Sequence, residues 1–304
     1  MDAANWGRLL ALAGLWGFSF PFIKLAVADI PPLVVLFGRV SMAAVVLGAM
    51  LALTRTPFPS GRAAWLTFLG MGLTNNLAPW WLQLWGQQYL PVGLASILNA
   101  ATPAFSVVAM HLLTEDKATP SRAAGVVLGF AGVAVLIGPG LLFSGGHQLW
   151  PELAFMLACV FYAISGVFGR RFGRLGLNSM QTAFGLMTAT TIMSAPVAFI
   201  VNPPWTLATP GQAAVLALIA LALVSTAIAF MLFFRILVEA GPTNVMLVTL
   251  LVPVVAIWIG VAFMGETVEP RNFAGMGLIG LGLVCIDGRA ITALHRLIAG
   301  RGLR

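Results

Sequence analysis

Apolar residues come in long blocks along this chain, and the polar ones gather in short gaps between them. Glycine, proline and charge clusters cut it into ten apolar runs, at 6–27, 32–54, 64–88, 92–113, 122–142, 151–169, 179–201, 211–234, 243–264 and 271–288. The gaps read DIPP, TRTPFPSGR, QYLPV, TEDKATPS, SGGHQLWP, RRFGRLGLN, NPPWTLATP, EAGP and GETVEP, and none has room for a soluble domain. About twenty apolar residues in a helix cross a hydrocarbon core of about 30 Å, so each run has the length of a membrane span. Lipid-facing strands would alternate with polar positions, and these runs do not. The pattern predicts an all-α integral membrane protein with ten transmembrane helices.

Composition sharpens that reading. The chain is 60% hydrophobic and 8% charged, where a soluble domain carries about a quarter charged residues. The net charge of +7 forms no basic stripe that could hold nucleic acid; the charges sit at the ends of the runs. Counting Lys and Arg from a cytoplasmic N-terminus places Arg8, Arg55, Arg62, Lys117, Arg122, Arg170, Arg171, Arg174, Arg235, Arg289, Arg296, Arg301 and Arg304 inside. Lys24 and Arg271 fall outside. Thirteen against two predicts both termini in the cytoplasm, because cytoplasmic loops carry the excess of positive charge. Cys159 and Cys285 both lie within apolar runs and read as small packing residues.

The two halves echo each other. A shift of 150 positions pairs Pro103 with Pro253, Pro120 with Pro270, Gly125 with Gly275 and Gly132 with Gly282. A shift of 146 lays WGFSFPFIK (16–24) on YAISGVFGR (162–170), pairing Ser19 with Ser165 and Trp16 with Tyr162. A unit of five spans is odd, so the second copy must enter the membrane upside down. Such inverted repeats around a midplane site are a secondary-transporter architecture. The expected division is one repeat over 1–143, a second, inverted repeat over 150–289, and a basic cytoplasmic tail over 290–304.

Ten spans, the LWGFSFPFIK opening, GRV in the second span and P-x(11)-E-D-x(3)-P after the fourth resemble the drug/metabolite transporter superfamily, EamA type. The second half repeats that ending as P-x(12)-E-x(3)-P, from Pro253 through Glu266 to Pro270. The resemblance covers nearly the whole chain. It implies a five-plus-five inverted-repeat exporter of small metabolites in a bacterial-type inner membrane. The tryptophan- and amide-rich third span is most similar to the branch that exports aromatic and other neutral amino acids.

That third span and the start of the fourth, NNLAPWWLQLWGQQYLPVGLASILNAATP (75–103), hold the densest candidate chemistry. At helical spacing Asn75, Asn76, Pro79, Gln83 and Gln87 fall near one stripe, and Ser96, Asn99, Pro103 and Ser106 near another. Amides facing lipid have nothing to bond, so both stripes should face the bundle interior. They serve either as glue between helices or as the lining of a polar cavity. The 150 shift sets Ser225 and Thr226 against Asn75 and Asn76, and Thr249 against Asn99. Polar groups are thus expected from spans three, four, eight and nine, with Ser19 and Ser165 beside them. Trp16 and Tyr162 are too deep for an interfacial belt. They, Trp80 and Trp81 either pack or offer π-faces to substrate. Gln87 and Gln88 read as wet, near the outer surface. Arg39, about seven residues from a span end, either pairs and functions or snorkels to the surface.

Competing functions find less support. No P-loop is present, so this chain has no ATP motor of its own. No Asp-rich metal motif marks a prenyl- or phospho-transferase, and the histidines His111, His147 and His295 lie away from span centres, which argues against an intramembrane enzyme. Carriers of sugar phosphates or nucleotide sugars would need several buried cations, and only Arg39 and Lys24 are candidates; cationic-drug pumps would need an acid in span one. No cofactor is expected; the partners are a small-molecule substrate and the lipid bilayer. All nine acids read as terminal, loop or span-end residues, so a proton carrier is missing and facilitated efflux is expected.

Overall fold

A computed structural model describes residues 3–138, 149–169, 175–245 and 247–288. The expected tail over 290–304, together with Arg170, Arg171, Arg174, His147 and Arg289, lies outside the described residues. The described residues form ten long helical stretches: α1 (Ala3–Asp29), α2 (Pro32–Leu53), α3 (62–87), α4 (Val92–Leu113), α5 (Pro120–Ile137), α6 (Leu149–Gly169), α7 (Ser179–Val201), α8 (Gln212–Ala240), α9 (Val248–Met264) and α10 (Pro270–Asp287). Proline opens α2, α5 and α10, where its missing N–H costs nothing and its fixed φ suits the first turn. Asn178 and Gln181 form a reciprocal capping box at the start of α7. Gly241 and Gly265 close α8 and α9 at φ 83° and 67°, a region that side chains with a Cβ avoid.

Ten spans were expected, and seven of the described helices are long and apolar enough to cross a membrane: α1, α2 and α4 to α8. The other three fall short for separate reasons. The amides and indoles of α3 dilute its hydropathy. Helix α9 has 17 residues, because a separate turn at Pro242–Val245 precedes it. In α10, Arg271, Asn272 and Asp287 occupy the ends of an 18-residue helix.

Side-chain ties sort the helix ends into two groups. At one end the start of α1 meets the end of α8 through Arg8 and Glu239, Gln181 of α7 donates to the Pro57 carbonyl after α2, and Ser121 of α5 donates to the Cys285 carbonyl of α10. At the other, Lys24 of α1 meets the end of α3, and Asp29 accepts from the Gly211 N–H before α8. Successive helices therefore run up and down.

The packing is internally symmetric. Helix α1 packs on α8 and α9, as α6 packs on α3 and α4, while α2 meets α7, α4 meets α9 and α5 meets α10. At the α5–α10 seam the symmetry reaches single glycines. A Cβ on Gly125 would lie 2.5 Å from the Gly282 carbonyl, and one on Gly132 would lie 2.7 Å from that of Gly275. Early α5 thus touches late α10 and the reverse, so two helices in equivalent places cross antiparallel, backbone on backbone. Small residues permit that approach, and close packing replaces the hydrophobic effect that lipid does not supply. The interior splits into two apolar clusters, one around α2, α3, α7 and the first half of α8, the other around α1, α4 and α9; Trp16 packs against both.

Candidate functional site

Three irregular turns shape the middle of the bundle. Helix α3 widens into a π turn at Gly72–Leu77, and α8 does the same at Leu223–Ile228, close to the 150-residue offset between the halves. A π turn displaces its side chains from the α register, and such turns gather at functional sites. It carries Asn75 and Asn76 in α3, and Ser225 and Thr226 in α8. The third is in α4, which breaks between Val92–Asn99 and Thr102–Leu113 because Pro103 cannot donate to the Asn99 carbonyl. The Thr102 hydroxyl donates to that carbonyl instead, at 2.7 Å.

Across these turns run two short groups of neutral hydrogen bonds. Gln83 Nε2 donates to Asn99 Oδ1 at 2.7 Å, and the Tyr162 hydroxyl donates to Gln83 Oε1 at 3.2 Å. Ser165, one turn along α6, donates to Asn75 Oδ1 at 3.0 Å. Asn75 donates to Asn76 Oδ1 at 2.9 Å, and Asn76 donates to Thr190 Oγ1 of α7 at 3.1 Å. Asn76 is fully buried and ties α3 to α7. Asn75, Asn99 and Tyr162 are half-buried, so each group keeps some exposed surface.

Beside it stands an aromatic wall with one charge. Trp16 lies against Phe230 and Phe233 with ring centroids 6.2 and 5.4 Å away, and Trp80 meets Phe230 edge-on at 5.9 Å. The Arg39 guanidinium stacks on Trp80, 3.7 Å from the ring centroid, and its Nε donates to Thr226 Oγ1 at 2.7 Å. Thr226 in turn donates to the Leu221 carbonyl. Arg39 is 5% exposed and reaches toward the middle of α8, which excludes snorkelling. Trp81, on the opposite face of α3, is 43% exposed and belongs to the outside of the bundle.

The remaining expected residues divide. Ser225 is fully buried and donates to the Leu15 carbonyl at 2.6 Å, tying α8 to α1. Ser19 bonds within its own helix, to the Trp16 carbonyl. Thr249 is half-buried at the start of α9. Gln87 is a correction: it is buried, donating to the Phe20 carbonyl at 2.6 Å, because the end of α3 is covered by α1. Gln88 is exposed as expected.

At that end a carboxylate and an ammonium hold α3, α4 and the α9–α10 turn together. Glu266 accepts from the Val92 and Gly93 N–H groups at 2.5 and 3.0 Å, which fills the donors that open a helix. Lys24 donates to the carbonyls of Gln87, Gln88 and Leu90. A cavity of about 430 Å³ lies at the opposite end, lined by Pro103, Ser106, Met110, Leu250 and Leu283, with Asp116 and Arg122 at its rim. It follows the α4 stripe away from the aromatic wall rather than surrounding that wall. Glu152, read as a span-end acid, is 2% exposed in the first turn of α6, with Oε2 lacking a hydrogen-bond partner among the described residues.

Comparison with known proteins fits this arrangement. The model of the EamA-like transporter family matches twice, over residues 5–138 and 149–286. The chain belongs to the EamA-like transporter family. It is similar to the uncharacterized transporter YoaV of Bacillus subtilis, 24% identical over 90% of this chain and 94% of that one. It is also similar to a probable terminal-alkyne amino-acid exporter of Streptantibioticus cattleyicolor, 25% identical over 100% and 99%. A solved crystal structure shares the fold at a TM-score of 0.67 and 19% identity, covering 94% of this chain and 98% of that one. As an EamA-like protein the chain is a multi-pass membrane protein and a secondary transporter of small metabolites, not an enzyme. Sequence reasoning missed Thr190, Phe230 and Phe233; threonine and phenylalanine inside apolar runs carry no mark that separates a site wall from packing.

Proposed function

We propose that the protein exports small neutral metabolites, foremost aromatic and other hydrophobic amino acids, by alternating access. One observation carries this: amides of α3 and α4 bonded to the α6 phenol lie beside an indole-and-phenyl wall from α1, α3 and α8, joined to it where Tyr162 meets Trp80. Amides suit a polar backbone, and ring faces suit an apolar side chain. The name of the Streptantibioticus relative supports amino acids as cargo. The antiparallel α5–α10 seam and the up-and-down order support two inverted five-helix repeats, over 1–143 and 150–289, rocking about the site. In this reading both termini lie in the cytoplasm of a bacterial-type inner membrane, and all ten helices span it.

Transport is facilitative in this proposal, because the site lacks a carboxylate or imidazole to store a proton. His111 is exposed and its Nδ1 accepts from the Ala118 N–H, so Glu152 is the acid to examine first. The test is counterflow in proteoliposomes with labelled Phe, Trp, Met and Thr. Internal unlabelled substrate should accelerate exchange, and an imposed proton or Na⁺ gradient should produce no uphill accumulation. Absence of exchange for all four sinks the amino-acid reading; accumulation abolished by a protonophore and by Glu152→Gln sinks the facilitative one.

A further inference from the structure

A permanent cation buried in a bundle is costly unless something answers its charge. Arg39 has no carboxylate partner among the described residues; what meets it is the Trp80 face and the Thr226 hydroxyl, with the Tyr162 phenol nearby. All are neutral, and the Thr226 hydroxyl occupies Nε alone. A guanidinium carries five donors in a planar fork. Its two terminal nitrogens, Nη1 and Nη2, donate no hydrogen bond to any described residue. Nor are they sealed: the enclosed polar atoms without a partner are Gln87 Oε1, Glu152 Oε2 and Thr188 Oγ1. The bidentate edge of the fork therefore bonds no described residue and is not completely enclosed, although Arg39 as a whole is 5% exposed, and it lies beside the aromatic wall.

We propose that Arg39 is the anchor for a substrate carboxylate. This rests on the transport reading above and narrows it to molecules that carry an anionic carboxyl group. Stacking on Trp80 fixes the plane of the guanidinium, and the Thr226 bond fixes its rotation, so the fork is pre-set for a two-point carboxylate contact. The substrate's apolar part then meets Trp16, Trp80 and Phe230, and its other polar groups meet Asn99 and Gln83. The bound carboxylate supplies the missing counter-charge, so substrate binds best where the empty protein is least satisfied. A purely structural Arg39 would instead be valued for its bonds to Thr226 and Trp80.

Competition and stability measurements on the full chain in nanodiscs separate these roles. The probes are L-phenylalanine, L-phenylalaninamide and 3-phenylpropionate with its amide, competing against a labelled amino acid or against each other through quenching of Trp80. Each acid should bind about tenfold to a hundredfold tighter than its amide, as for hydrogen bonds to a buried charge. Arg39→Gln should bring that ratio close to one, and Arg39→Lys should retain part of it. Arg39→Met should keep or raise the thermal midpoint, since it removes an unanswered charge.

Equal binding of acid and amide by the unaltered protein overturns the anchor, as does an acid preference that survives Arg39→Gln. Should Arg39→Gln fail to fold, the acid-to-amide ratio of the unaltered protein and of Arg39→Lys decides. If 3-phenylpropionate binds and phenylalanine does not, the amino-acid reading falls while the anchor stands. If amino acids and their amides are carried alike, the reading stands and the anchor falls.

Discussion

Glu266 offers the sharpest test of how the two halves hold together. Its carboxylate lies in the α9–α10 turn of the second half, yet it accepts from the first two N–H groups of α4 in the first half, at 2.5 and 3.0 Å. A hydrogen bond to a charged group contributes about 1.5–3 kcal/mol, and partial exposure puts this pair at the low end. Glu266→Gln replaces one oxygen by an NH₂ group, which faces a backbone N–H with no lone pair to offer. One bond is lost and one N–H is left unanswered, a cost of about 2–3 kcal/mol. Room for the carboxylate depends on Gly260, where a Cβ would lie 2.5 Å from Glu266 Oε2, so Gly260→Ala should reproduce the defect. Glu269, three residues on, pairs with Arg271 at 2.6 Å on the exposed surface, where ion pairs contribute about 0–1 kcal/mol. Glu269→Gln is the matched control. The assay is thermal unfolding of the detergent-solubilised protein with hydrogen exchange read at Val92 and Gly93. Glu266→Gln should lower the midpoint by several degrees and release one of the two amides, with Glu269→Gln nearly silent. Equal effects of the two glutamine variants would refute the latch.

Three further outcomes are expected. Gly132→Val, whose side chain would start 2.7 Å from the Gly275 carbonyl, should force α5 and α10 apart and lower the unfolding midpoint by more than Gly14→Val, where a Cβ meets nothing within 4 Å; comparable midpoints would remove the seam's importance. Asn76→Leu should reduce protein abundance and transport together, since it breaks the buried tie to Thr190. Asn75→Leu and Asn99→Leu should reduce transport more than abundance, and quantitative blots beside counterflow rates check this. Trp16→Ala and Trp80→Ala should impair exchange of Phe and Trp at least several-fold more than exchange of Thr; equal losses would make the indoles packing groups.

The fold was legible because a bilayer leaves the sequence few choices. Backbone polar groups must be satisfied within the segment, so a run of about twenty apolar residues announces a helix, and the helix limits found differ from the expected ones by only a few residues at most ends. The paired prolines and glycines of the two halves were legible for the same reason: Gly125, Gly132, Gly275 and Gly282 recur because two backbones touch there. What pattern does not reveal is where a helix deviates from regularity. The π turns at Gly72–Leu77 and Leu223–Ile228 have no proline of their own and no composition that marks them. They result from packing, with Asn76 drawn to Thr190 and Thr226 drawn to Arg39.

The site divides along the same line. An amide inside an apolar run signals that something must bond it, and the expected residues do find partners, Gln83 with Asn99 in one group and Asn75 with Asn76 in another. Periodicity assigns them to an inward face but not to partners. Helical spacing put Asn76 and Gln83 on one stripe, yet Asn76 is consumed by a tie to α7 while Gln83 joins the half-buried residues Asn99 and Tyr162. Which amide binds a helix and which stays available depends on the neighbour it happens to face, a three-dimensional fact. Arg39 makes the point most clearly. One charge seven residues inside a span allows two outcomes of similar cost, reaching back to the interface or inward to a partner. The inward one prevails because Trp80 offers a ring face and Thr226 an oxygen at the right distance, and both come from other helices. The described polar groups are thus used unevenly: most tie helices together, while Arg39, bonded through Nε alone, lies beside the aromatic wall.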